Sequence, residues 1–117
     1  MSTGGGARDR LRMLTDTHCH LTSPELLPQL DAVLRRASAA GIRRIVMVAT
    51  SLRDATTALE LLDAHPELDL VAGVHPHEAG RCDDDAFLPL AALLRGEGSA
   101  RTLADRIVGV GETGLDF

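Results

Sequence analysis

From Arg12 onward the chain alternates short β-branched apolar runs with longer stretches in which apolar residues recur every three or four positions. That alternation predicts successive βα units. Four strands are predicted, at Arg12–His20, Arg44–Thr50, Leu70–His75 and Ile107–Glu112. The last three are apolar almost throughout, as expected of parallel strands buried on both faces. In the first helix Leu30, Val33, Leu34 and Ala37 keep helical spacing, Pro28 falls in the first turn and Gly41 supplies a left-handed stop. The second opens at Ser51, with Asp54 three residues on completing a capping box, and runs through Leu59 and Leu62 to end before His65-Pro66. The third opens among Asp83, Asp84 and Asp85, where carboxylates suit the positive end of a helix dipole, and is expected to bury Phe87, Leu90, Leu93 and Leu94. The segment from Arg95 to Arg106 reads as a loop with a short helical turn at its end. Right-handed crossovers through the helices make the strands parallel.

A length of 117 residues fits one domain or a piece of one. Residues 1–11 lack an apolar run and read as a flexible arm, leaving 12–117 as the folded part. Phe87 and Phe117 are the only aromatics, so the core is aliphatic. A formal charge of −5 argues against a surface that grips nucleic acid by charge alone. All 12 cationic residues are arginine, which excludes Schiff-base and lysine general-base chemistry within the chain. Cys19 and Cys82 form no CxxC pair, and no secretory leader or membrane-length apolar run is present; the expected setting is reducing and cytoplasmic, with no membrane partner.

Strand alternation places Asp16, His18 and His20 on one face and Thr17, Cys19 and Leu21 on the other. Histidines at i and i+2 stand about 6.6 Å apart along a strand, close enough for both imidazoles to meet one cation. The same pattern also occurs on exposed edge strands. It gains weight because His75 and His77, in GVHPH, and Glu112, in GVGETGLDF, also fall at strand ends. In parallel α/β folds the carboxyl ends of the strands are where sites assemble. For His75 the competing reading is a structural histidine in a His-Pro turn; for Glu112 it is a surface carboxylate in a glycine-rich turn. His77 and Asp116 divide evenly between site and surface. Asp16 is expected to orient an imidazole, with direct ligation as the alternative. Cys19 is expected to pack in the wall, while His65 and Cys82 carry no pattern and read as exposed or structural.

Three motifs, DTHCHL, GVHPHEAG and VGVGETGLDF, occur in an order and spacing that resembles the TatD-like metal-dependent hydrolases. The resemblance implies an α/β fold: the N-terminal half, about four βα units, of a TIM-like (β/α)8 barrel of the metal-dependent hydrolase superfamily. It implies a divalent-metal-dependent deoxyribonuclease acting on DNA, with two metal ions drawn from magnesium, manganese and zinc. Carried over residue by residue, His18, His20 and Glu112 are the metal ligands and Glu112 is shared between ions. The resemblance would place His75 near the substrate phosphate; beside it, the reading of the residues keeps Glu112 and Asp16 as candidate catalytic carboxylates and His77 as a further substrate-side candidate. A full barrel needs about 250 residues, so the chain is expected to be an amino-terminal fragment that lacks the remaining ligands. A related hydrolase acting on an ester, lactone or amide, and a non-catalytic metal-binding fragment, stay open as rivals.

Overall fold

A computed structural model describes residues 13–97 and 105–114. Four parallel strands run in sequential order: β1 (Leu14–Cys19), β2 (Ile42–Ala49), β3 (Leu68–Ala72) and β4 (Ile107–Val110). They are separated by α1 (Leu30–Ala39), α2 (Leu52–Ala64) and α3 (Asp84–Leu94). Sequential order with crossovers of one hand puts every helix on the same side of the sheet, as in an arc of a barrel wall. The core lies on that side, where Met47, Leu62, Leu68 and Leu70 are almost fully buried. Each contributes about 1.5–3 kcal/mol by leaving water.

The expected burial of both strand faces holds only in part. In β3, Leu68, Leu70 and Ala72 are buried while Asp69 and Val71 are half-exposed, and in β4 Val108 and Val110 are 55% and 67% exposed. The face that carries Asp69 and Val71 is open among the described residues, whereas Val110 lies on the helix side, beside the groove lined by Phe87 and Leu90, where cover is incomplete. On that open face Asp69 pairs with the Arg44 guanidinium.

Several boundaries also differ from the sequence expectation. Pro28 stands in a separate 3-10 turn, Leu27–Gln29, because the chain straightens into the α-helix only at Leu30. Gly41, at φ 94°, ends α1 as expected. Ser51 caps α2 by accepting from the Asp54 N–H at 3.2 Å. In α3, Asp83 is the cap, and Leu90 and Leu93 are buried, but Phe87 is 54% exposed. Phe87 faces an open groove beside β4 that nothing among the described residues fills. The third strand stops at Ala72 rather than His75, and a 3-10 segment, Pro76–Arg81, follows. The fourth ends at Val110 rather than Glu112.

The arm, Asp116, Phe117 and most of the loop expected before β4 lie outside the described residues. The end of that loop does carry a short helical turn at Asp105 and Arg106. Arg106 donates to the carbonyls of Leu62, His65 and Leu68 at 2.5, 2.7 and 2.5 Å, tying the end of α2 to the approach to β4. No residue pattern along the chain signals this clamp. His65 is accordingly structural, its N–H closing α2 on the Leu61 carbonyl at 3.0 Å.

Candidate metal centre

The carboxyl ends of β1, β3 and β4 bring His18, His20, His75 and Glu112 to one rim. The ligand atoms of His18, His20 and Glu112 all lie within 4.8 Å of one another. His18 Nε2 is 3.8 Å and His75 Nε2 is 4.0 Å from Glu112 Oε2. These separations are too long for hydrogen bonds. Donors sharing one ion at about 2.0–2.2 Å stand roughly 3 to 3.5 Å apart, so the triad needs only a modest inward adjustment to close on a cation.

The route of β1 to this site is not a regular strand. Asp16 pairs with Ile45 and Cys19 with Met47, so three steps on β1 match two on β2. The irregularity breaks strict alternation between Asp16 and Cys19 and re-aims the side chains that follow. The expectation that Asp16, His18 and His20 share a face by simple parity is therefore corrected. The imidazoles still converge, with ring centroids 5.1 Å apart and planes crossed at 79°. Asp16 accepts from the His18 backbone N–H at 3.1 Å, which holds the bend itself rather than an imidazole.

Hydrogen bonding gives the histidines different faces. His20 Nδ1 lies 2.9 Å from the Val48 carbonyl, which can only accept, so Nδ1 carries the proton and Nε2 keeps its lone pair for a cation. His75 Nδ1 instead accepts from the His77 N–H at 3.1 Å, which leaves the proton of the neutral ring on Nε2. His75 thus presents a donor towards Glu112, whereas His20 presents an acceptor. The His77 ring packs edge-on against His75 at 4.8 Å between centroids. Cys19 is half-buried, its thiol 3.7 Å from the Val46 carbonyl. Burial, with the nearby Asp16 charge adding, pushes that thiol up to about 11 and makes it a poor ligand at neutral pH.

Glycines set the height of Glu112. Gly111 donates its N–H to the Ala72 carbonyl at 3.1 Å, and a Cβ on Gly73 would fall 2.6 Å from the Gly111 carbonyl oxygen. Only a residue without a side chain permits that approach. Beside the rim lies a cavity of about 490 Å³ whose lining includes Val74, Pro76, Phe87, Leu90, Leu94 and Val110. It is largely apolar and holds neither the rim histidines nor Glu112, so the chemistry belongs to the triad and not to this cavity. Asp54 was legible in the sequence only as a helix cap; its carboxylate bonds instead to Thr22 and Thr50.

The carboxyl edge of a parallel βα arc thus carries an HxH pair and a carboxylate close enough together to hold a metal ion. Residues 15–117 match the family described as TatD related DNase, and the chain belongs to that family. It is 38% identical over 102 residues to the 3'-5' ssDNA/RNA exonuclease TatD of Enterobacter lignolyticus (strain SCF1), covering 87% of this chain and 36% of that one. The protein of the same description from Edwardsiella piscicida is 33% identical over 105 residues, covering 89% and 37%. Among solved structures, the TatD homolog YJJV from Escherichia coli K12 superimposes with a TM-score of 0.76 at 31% identity, covering 89% of this chain and 38% of that chain. The chain therefore spans little more than a third of the length of these relatives, and its four strands make up part of the barrel. Among the described residues no helix is long and apolar enough to cross a membrane.

Proposed function

We propose that the chain carries the first part of a divalent-metal nuclease site that hydrolyses phosphodiester bonds in single-stranded DNA or RNA. The observation that carries this reading is the meeting of His18, His20 and Glu112 within 4.8 Å, with the Val48 bond placing the proton of the neutral His20 ring on Nδ1 and so leaving Nε2 its lone pair. The names of the similar proteins, exonucleases acting on single-stranded DNA and RNA, supply the substrate class.

His18, His20 and Glu112 are the residues that would hold one ion, and Glu112, as a carboxylate, could also serve a second ion whose other donors would lie outside the triad. Two imidazoles favour zinc or manganese over magnesium, which prefers oxygen and water. Such an ion, when bound, supplies Lewis-acid charge at a phosphate oxygen and an acidified water. The protonated Nε2 of His75 donates to a non-bridging phosphate oxygen and orients the scissile group, with His77 backing its ring. Asp16 fixes the bend that aims His18.

Cleavage of an end-labelled single-stranded oligonucleotide in the presence of Mn²⁺ tests the proposal. Shortening that disappears in His18→Ala and Glu112→Gln, with unchanged circular dichroism, is the expected result. Hydrolysis of esters without oligonucleotide cleavage contradicts it.

A further inference from the structure

One carboxylate away from the rim joins the segments that carry two of its histidines. Asp54 Oδ2 accepts from the Thr50 N–H at 3.0 Å and from the Thr50 hydroxyl at 3.3 Å. Asp54 Oδ1 accepts from the Thr22 hydroxyl, across 32 positions of sequence. Thr22 lies two residues after His20, and Thr50 lies two residues after Val48, the carbonyl that sets the His20 tautomer. The Thr50 carbonyl in turn accepts from the His75 N–H at 2.9 Å. A single half-buried side chain therefore links the loop leaving β1, the end of β2 and the segment leaving β3.

This is not what capping α2 requires. The cap is made by the Ser51 hydroxyl and the Asp54 backbone N–H, and neither uses the carboxylate. In a capping box the carboxylate turns back to the N–H of the cap residue itself. Here it bonds one residue earlier, to Thr50, and reaches sideways to Thr22. Both oxygens are committed to groups that flank the site.

We propose that Asp54 is a positioning residue for the metal centre, bracing the His20 loop against the end of β2 and, through Thr50, the backbone of His75. Metal ligands must be held within about 0.5 Å of their working geometry, and loss of an outer hydrogen-bond partner typically lowers ion affinity 10- to 100-fold. The proposal rests on the reading of His18, His20 and Glu112 as ligands, but its effect on the His20 ring does not require an ion.

Two measurements on the full chain separate the two ideas. In ¹⁵N spectra of the metal-free protein, the His20 ring is expected as the Nδ1–H tautomer, shifting to a mixture in Asp54→Ala and in Thr22→Val. By Mn²⁺ titration both variants are expected to bind roughly 10- to 100-fold more weakly than the parent. Ser51→Ala weakens the helix cap yet is expected to leave tautomer and affinity unchanged. Thr22→Val keeps the side-chain shape and carries the test if Asp54→Ala fails to fold. A tautomer shift in these variants, with a parent chain that binds no ion, supports the brace and removes the ligand reading. Parental tautomer and affinity in Thr22→Val and in folded Asp54→Ala overturn the proposal, as does a Ser51→Ala variant that loses affinity as much as they do.

Discussion

The Nδ1–H of His20 donates to the carbonyl of Val48 at 2.9 Å, from the strand that lies beside its own. A backbone carbonyl cannot donate, so this one bond selects the tautomer and orients Nε2 for ligation. Asn places an amide N–H near the position of Nδ1 but has nothing at Nε2. His20→Asn is thus expected to stay within about 0.5 kcal/mol of the parent in stability, while His20→Ala loses about 1 kcal/mol with the hydrogen bond. Both are expected to lose Mn²⁺ binding. Urea unfolding paired with metal titration of the two variants checks the separation.

Gly73 and Gly111 approach too closely for any side chain at residue 73. Gly73→Ala puts its Cβ 2.6 Å from the Gly111 carbonyl oxygen and 2.8 Å from its carbon, both rigid backbone atoms. Relief requires β4 to move away from β3, carrying Glu112 with it. The expected outcome is a loss of about 1–3 kcal/mol in stability together with weaker ion binding. Gly80→Ala, which meets nothing within 4 Å, is the control and is expected to leave ion binding unchanged.

Cys19 sets an alkaline limit. Its thiol is pushed up to about 11 by burial and by Asp16, from an ordinary value near 9. A group whose folded pKa is raised contributes stability that is present below the unfolded value and lost as pH climbs to the folded one. The urea midpoint is expected to fall between about pH 9 and 11, and Cys19→Ala is expected to flatten that fall. An equal slope in both proteins contradicts the assignment.

The open side of β4 predicts self-association. Val108 is 55% exposed and Val110 67% on β4, with Phe87, 54% exposed, across the groove from Val110, and the strand edge has no partner among the described residues. Such edges template pairing with further strands. Light scattering is expected to show concentration-dependent oligomers, reduced by Val108→Lys, which stands away from the rim. A monomer at all concentrations contradicts this.

Much of the arc could be read from residue patterns because helical spacing and β-branched runs are local signals. Leu30, Leu34 and Leu62 follow that spacing and are buried, and Ser51, Asp83 and Gly41 punctuate as their chemistry dictates. The expectation failed where a long-range partner decides. Phe87 has the periodicity of a core residue but faces a groove left open, and Val108 and Val110 are apolar without cover. The irregularity in β1 depends on its pairing with β2, so strand parity alone could not show how His18 and His20 are aimed. The rim residues were legible because three motifs recur at strand ends. Their division of labour, a lone pair on His20 and a proton on His75, rests on hydrogen bonds to Val48 and His77 that have no signature in composition or spacing. Asp54 carried a true local signal, the cap, which hid its longer reach to Thr22.

The central claim is that His18, His20 and Glu112 jointly hold a divalent ion. Calorimetric titration of the metal-free chain with Zn²⁺ or Mn²⁺, beside His18→Ala, His20→Ala and Glu112→Gln, tests it directly. Saturable binding in the parent, weakened by more than about 100-fold in each folded variant, is the predicted result, exceeding the loss typical of an outer partner. Binding of equal strength in the parent and all three variants, or none in the folded parent, contradicts it.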